Sequence, residues 1–189
     1  MPSEKTAAGD RPKIQDRRPK TAPPELRPDE LHPDELHPDE LHPDELWMEE
    51  ALRCAQRALE AGEVPVGAVV VCDGRIVGRG WNRNITGSDP TAHAEIIALR
   101  EACAAVGNHR LEDCELFATI EPCAMCAGAL IHARVQRLVY GADDPKAGAV
   151  HSVITVLNHP QLNHKIEVRS GVLAGRSAEV LQSFFRNRR

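Results

Sequence analysis

The chain has 189 residues and a formal charge of −5, with 42% hydrophobic and 3% aromatic side chains. That length suffices for one well-buried domain, and the scarcity of aromatics leaves Val, Ile, Leu and Ala to build its core. The charge excludes a protein that holds nucleic acid by net charge alone, while leaving room for a local basic patch. No run approaches the roughly 18 apolar residues of a membrane span, and the charged, proline-rich start is unlike a signal peptide. The chain is therefore read as cytoplasmic, a compartment in which its six cysteines point to thiols or metal ligands and not to disulfides.

Residues 1–43 mix charge and proline without hydrophobic periodicity and are expected to be a disordered, low-complexity extension. They run into the repeat LHPDELHPDELHPDEL, where a proline at every fifth residue prevents a continuous helix. Its histidines, His32, His37 and His42, would suit a metal; an expanded repeat without a specific role is the preferred reading. Residues 44–189 predict a single folded domain. DELWMEEALRCAQRALEAG places Leu46, Trp47, Ala51, Cys54, Ala55 and Leu59 near one face of a helix that stops at Gly62. VPVGAVVVCDGRIVGRGWN reads as a hairpin turning at Asp73-Gly74. TAHAEIIALREACAAVG is a second helix, with Thr91 as its N-cap and Gly107 as its stop. CELFATI is a strand, PCAMCAGALIHA a helix with Pro122 in its first turn, and VQRLVYGA another strand. Asp143 to His164 is polar and irregular. KIEVRSGVL reads as a last strand and turn, and SAEVLQSFFRNRR as an amphipathic helix with a basic end. Strands alternating with helices define a layered α/β domain, and the opening hairpin makes its sheet mixed.

Cys123 and Cys126 share one face of their helix, and alone they fit a redox couple, half of a metal site, or two core thiols. His93 and Glu95 occupy the first turn of the preceding helix. There the Cα–Cβ bonds tilt toward the N-terminus, so both side chains can reach a point beyond the helix end. Two helix N-termini then face one place, and their dipoles favour thiolate, the form that binds zinc. One nitrogen and two sulfurs suit Zn2+ better than Mg2+ or Ca2+. Three protein ligands leave the fourth tetrahedral position to water, whose pKa falls from ~15.7 to about 7. Glu95, a carboxylate beside the ligands, then serves as the proton carrier of a hydrolytic site. Cys54, Cys72, Cys103 and Cys114 have no such context and are assigned to packing or surface.

His93-Ala94-Glu95 with Pro122-Cys123-Ala124-Met125-Cys126 resembles the signature of the zinc-dependent cytidine and purine deaminase superfamily. In closer detail VPVGAV, GWNR, DPTAHAEI, EPCAMCAGALIHAR, YGADDPKAGA, LNHP, LNH and FFRNRR resemble the bacterial tRNA-specific adenosine deaminases in order and spacing, over about residues 46–189. The resemblance implies a three-layer αβα, cytidine-deaminase-like fold around a mixed, roughly five-stranded sheet. It also implies a homodimer with one Zn2+ per subunit, acting on a tRNA anticodon stem-loop. The implied reaction is hydrolytic conversion of adenosine to inosine at the wobble position, by zinc-bound hydroxide with Glu95 as proton shuttle. His93, Cys123 and Cys126 would hold the zinc. Asn82 would hydrogen-bond the extruded adenine, although the residues alone make it a turn residue.

The loop after Tyr140 offers Asp144, Lys146, His159 and Asn163 as candidate RNA contacts, each of which is otherwise a solvated loop residue. From His164 onward six Lys or Arg stand against two Glu. Arg186, Arg188 and Arg189 are candidates for phosphate contacts, while one of Phe184 and Phe185 packs in the core. A charged, frayed helix end is the plain alternative. Two other functions compete: deamination of a free nucleobase such as guanine, and a nonenzymatic, zinc-stabilised RNA-binding module. Four protein ligands would favour the module; three with a carboxylate beside them favour the enzyme.

Overall fold

The computed structural model describes residues 42–188. The expected disordered extension, with His32 and His37, lies outside them, but its last two residues are ordered parts of the domain. Helix α1 spans Pro43–Glu60, with proline at its first position and His42 as N-cap. His42 Nδ1 accepts from the Asp44 N–H at 3.1 Å. A proline inside a helix removes a needed donor, whereas at the first position that donor is unpaired anyway. The last unit of the repeat therefore starts the domain, and His42 is a cap.

The hairpin follows as β1 (Gly67–Cys72) and β2 (Arg75–Trp81), turning through Asp73 and Gly74, both at positive φ. This is the type of two-residue turn whose twist matches a hairpin. Then come α2 (Ala94–Val106), β3 (Cys114–Ile120), α3 (Ala124–Ala133), β4 (Arg137–Ala142), β5 (Glu167–Arg169) and α4 (Ala174–Arg186). The sheet order is β2-β1-β3-β4-β5. β1 runs antiparallel to β2 and β3, while β3, β4 and β5 are parallel. The five-stranded mixed sheet and the α/β class expected from the sequence are both present.

Alternation along the strands sorts their side chains between two cores. Val70, Leu116, Ala118, Leu138 and Tyr140 pack toward α2 and α3, with Ala98, Ala127 and Leu130. Val69, Val71, Phe117 and Val139 pack toward α1, with Met48, Ala51 and Cys54. α4 packs on β4, and its Arg176 pairs with Glu49 of α1. Helices thus cover both faces of the sheet. At Gly80 an added Cβ would overlap the Ala94 carbonyl oxygen, so the first turn of α2 rests directly on the β2 backbone. A buried ion pair ties α1 to the sheet: Arg137 donates to the two Asp44 carboxylate oxygens at 2.9 and 2.6 Å.

Three local expectations change. The N-cap of α2 is His93 and not Thr91, because Thr91 donates its N–H and its hydroxyl to Asp89 Oδ1, each at 2.7 Å. That short-range turn ends before the helix begins. α3 starts at Ala124 with Cys123 as N-cap, so Pro122 precedes the helix and is not in its first turn. Cys72 and Cys114, assigned above to packing or surface, form a disulfide. The antiparallel register of β1 and β3 sets them directly opposite, with Cα atoms 4.4 Å apart. That is the close spacing of a pair that exchanges no backbone hydrogen bonds. The pairing is created by the fold and has no counterpart in the cysteine spacing.

Candidate active site

The ends of β2 and β3 deliver two helix N-termini to one place. His93 caps α2 and Cys123 caps α3, both with extended backbone, and neither side chain bonds its own helix. Both are therefore free to face each other. His93 Nδ1 lies 3.6 Å from Cys123 Sγ and 3.6 Å from Cys126 Sγ. Bonds of about 2.05 and 2.3 Å at a tetrahedral angle put nitrogen and sulfur roughly 3.6 Å apart around zinc. The donor set and its spacing thus fit that ion, and the three ligand atoms form one of two such clusters among the described residues. The other, Glu121 with Asp143 and His151, has its buried carboxylate committed to backbone donors, as described below.

Within the cluster the three groups share their protons unevenly. Cys123 drops to about 3, first because Cys126 shares a proton with it; burial opposes this and His93 adds to it. Cys126 is pushed up by the same shared proton and by burial, and His93 is raised by its bond to Cys123. One thiolate thus faces a readily protonated imidazole, and a cation placed among them would take over that role. Glu95 is 2% exposed. Burial raises its pKa, so it holds a proton more readily than a surface carboxylate does.

Asn82, the last of the expected central residues, is buried where the chain leaves β2. Its Oδ1 accepts from the Ala94 N–H at 3.0 Å, filling the capping role that His93 leaves open. The carboxamide is thereby oriented, and its NH2 group remains to donate. Asn82, His93, Glu95 and Cys123 all line a cavity of about 910 Å³. A smaller hollow of about 440 Å³ beside Cys72 and Cys114 contains none of them.

The other candidates divide. Asp144, Lys146 and Arg186 line the cavity. Asp144 is also structural, since its Oδ1 accepts from the Lys146 and Ala147 N–H groups at 2.9 and 3.3 Å. Arg188 lines the cavity but is engaged internally: it donates to the Gly62 carbonyl at 2.7 Å and lies 4.3 Å over the Phe184 ring. His159 and Asn163 are exposed and stand outside the cavity lining. Arg189 lies outside the described residues. Phe184 is buried and Phe185 is 48% exposed.

Two buried glutamates escaped the sequence reading. Glu121 is 1% exposed. It accepts from the backbone N–H groups of Asp144, Val150, His151 and Ser152 at 3.1, 2.9, 2.8 and 3.0 Å, and from the Ser152 hydroxyl. Those donors outweigh burial and bring its pKa to about 2. Glu121 thus anchors the loop after β4, two residues before Cys123. Glu63 does the same for the loop after β2, accepting from the Ile85 N–H at 3.0 Å and the Thr86 N–H at 2.7 Å. The available signal was an acidic residue closing the apolar strand CELFATI, immediately before the Pro-Cys pair.

A nitrogen, two sulfurs and a buried protonatable carboxylate at the edge of a five-stranded αβα sheet define a deaminase domain. Residues 43–189 match the MafB19-like deaminase family. Solved structures of like fold include a guanine deaminase from Nitrosomonas europaea, 27% identical with a TM-score of 0.65, over 85% of this chain and 98% of that one. Greater similarity is found elsewhere. The tRNA-specific adenosine deaminase of Haemophilus influenzae is 51% identical over 143 residues, 75% of this chain and 83% of the relative. That of Bacillus subtilis is 46% identical, over 76% of this chain and 89% of the relative. A structure from work on A-to-I editing by tRNA:A34 deaminases at the wobble position of transfer RNA is 48% identical. It superposes with a TM-score of 0.70, over 72% of this chain and 99% of that one. The chain belongs to the tRNA-specific adenosine deaminase family.

Proposed function

We propose that the protein hydrolyses adenosine to inosine at the wobble position of a tRNA anticodon. The observation that carries the reading is the convergence of the His93, Cys123 and Cys126 ligand atoms beside a cavity that His93, Cys123 and buried Glu95 line. Family membership supplies the substrate. The cavity, at about 910 Å³, is near the top of the roughly 300–1,000 Å³ range of small-ligand clefts, room enough for a base still joined to its strand. A loop nucleotide is the accessible choice, because a base inside a stacked duplex must first be extruded.

His93, Cys123 and Cys126 would hold Zn2+, which supplies a water acidified toward neutral pH. Every proton movement then falls to Glu95. Its raised pKa lets it take a proton from water, pass it to the purine ring nitrogen, and assist the departing amine, so that water and adenosine give inosine and ammonia. The NH2 group of Asn82, oriented through the Ala94 N–H, would hold the base in register. Lys146 and Arg186 on the cavity lining would meet the RNA backbone. The family resemblance also supports a homodimer with one zinc per subunit and a cytosolic setting; no described helix is long and apolar enough to cross a membrane.

The test is inosine formation in an anticodon stem-loop carrying adenosine at the wobble position, with free adenosine and guanine alongside. Inosine in the RNA alone supports the reading. Ammonia from guanine with an untouched RNA would retain the hydrolytic chemistry and replace the substrate.

A further inference from the structure

Two arginines lie over one indole at the open edge of the sheet, and a third lies on the same face of its strand. β2 is the outermost strand, and Trp81 ends it. The Arg83 guanidinium lies 4.0 Å from the Trp81 ring centroid and that of Arg57 5.4 Å. Arg79 precedes Trp81 by two residues and shares its face of β2. The charges of Arg57 and Arg79 both reach Cys54, on the side of α1 packed against that face.

Such like charges repel; Glu101 accepts from the Arg79 backbone N–H at 3.1 Å, and acidic groups of α1 have other partners. Glu50 pairs with Arg53, Glu49 with Arg176, and Glu60 accepts from Gln56. Among the described residues, Arg57, Arg79 and Arg83 have no ion-pair partner. Packing accounts for a single cation on an aromatic face. It does not account for several of them, unpaired among the described residues, in a chain of net charge −5. Their location narrows the ligand. Asn82 lines the reaction cavity, and it sits between Trp81 and Arg83 in the chain.

Resting on the reading as an RNA deaminase, we propose that Arg57, Arg79 and Arg83 form a phosphate-binding track for the RNA backbone beside the target nucleotide. Stacking on Trp81 holds the guanidinium planes while leaving their N–H edges free, and those edges match phosphate oxygens in paired hydrogen bonds. Contacts of this kind position the strand without reading its sequence. The track therefore sets affinity and leaves the chemical step alone.

The experiment compares the full-length wild type with the double variants Arg57→Gln/Arg83→Gln and Arg57→Lys/Arg83→Lys. Inosine formation and binding are followed on the anticodon stem-loop across a salt series, and each protein's melting temperature is recorded. The glutamine variant should raise KM roughly tenfold at low salt with kcat unchanged. It should also flatten the slope of log affinity against log salt by about 1.4–1.8, the release expected for two phosphate contacts. The lysine variant should restore most of that slope, since it keeps the charge. A glutamine variant with wild-type KM and slope overturns the proposal. So does a KM that rises with an unchanged salt slope, which assigns the arginines to packing. A wild type that deaminates free base and ignores the stem-loop removes the RNA reading itself, an outcome separate from either.

Discussion

At the scale of single residues, two carboxylates do different work because their surroundings differ. Glu95 is buried with little hydrogen bonding, so desolvation raises its pKa and suits it to carry protons. Glu95→Gln should keep its metal and lose roughly 10²–10⁴-fold in rate, the usual contribution of a positioned general base. Zinc content and turnover on the same preparation check this; a variant with near-wild-type rate would move the proton carrier elsewhere. Glu121 is equally buried, but the Ser152 hydroxyl and the backbone N–H groups of His151, Ser152 and Asp144 outweigh that burial and bring it from 4.5 to about 2. Its folded pKa lies below its unfolded one, so the stabilisation is present above about pH 4.5 and disappears as pH falls through about 2. The shift corresponds to on the order of 3 kcal/mol. Urea midpoints of wild type and Glu121→Gln should be well separated at pH 6 and converge toward pH 2.5. A separation that stays constant over that window would show that the carboxylate charge is not what holds the loop.

At the scale of elements, the catalytic geometry depends on how closely α2 lies on the hairpin. His93 and Glu95 belong to its first turn, and that turn touches the β2 backbone at Gly80. Gly80→Ala should force the helix start outward. Overpacking of this kind costs about 1–3 kcal/mol, and here it should also lower kcat, because the displaced turn carries both His93 and Glu95. A denaturation midpoint and a rate that both match wild type would show that the contact relaxes at no cost. Much of this level was legible in the sequence. The helical periods, the Asp73-Gly74 turn and the first-turn pairing of His93 with Glu95 are local properties, and local properties survive folding. The caps were less legible. Thr91 looks like an N-cap from its neighbours, yet Asp89 captures it and Asn82 serves α2 from 12 residues away. Glu121 and Glu63 were silent for the same reason: their donors lie 23–31 and 22–23 residues along the chain.

At the scale of the whole molecule, long-range register creates what no local pattern announces. Cys72 and Cys114 are 42 residues apart and meet only because β1 pairs with β3. The loop they close contains β2 and α2, so the cross-link encloses the element that presents His93 and Glu95. In the chain-entropy view, closing a loop of that length disfavours the unfolded ensemble by about 4 kcal/mol. Protein purified without reductant should therefore show four thiols in metal-free denaturant, those of Cys54, Cys103, Cys123 and Cys126. A reductant should lower its denaturation midpoint while leaving the zinc content of the folded protein unchanged. A Cys72→Ala/Cys114→Ala variant should resemble the reduced wild type and no longer respond to reductant. Six free thiols and a midpoint indifferent to reductant would mean that the two cysteines only pack together. The reaction site would be unaffected in that case, because the hairpin, the glycine contact and the two helix N-termini position it without the cross-link.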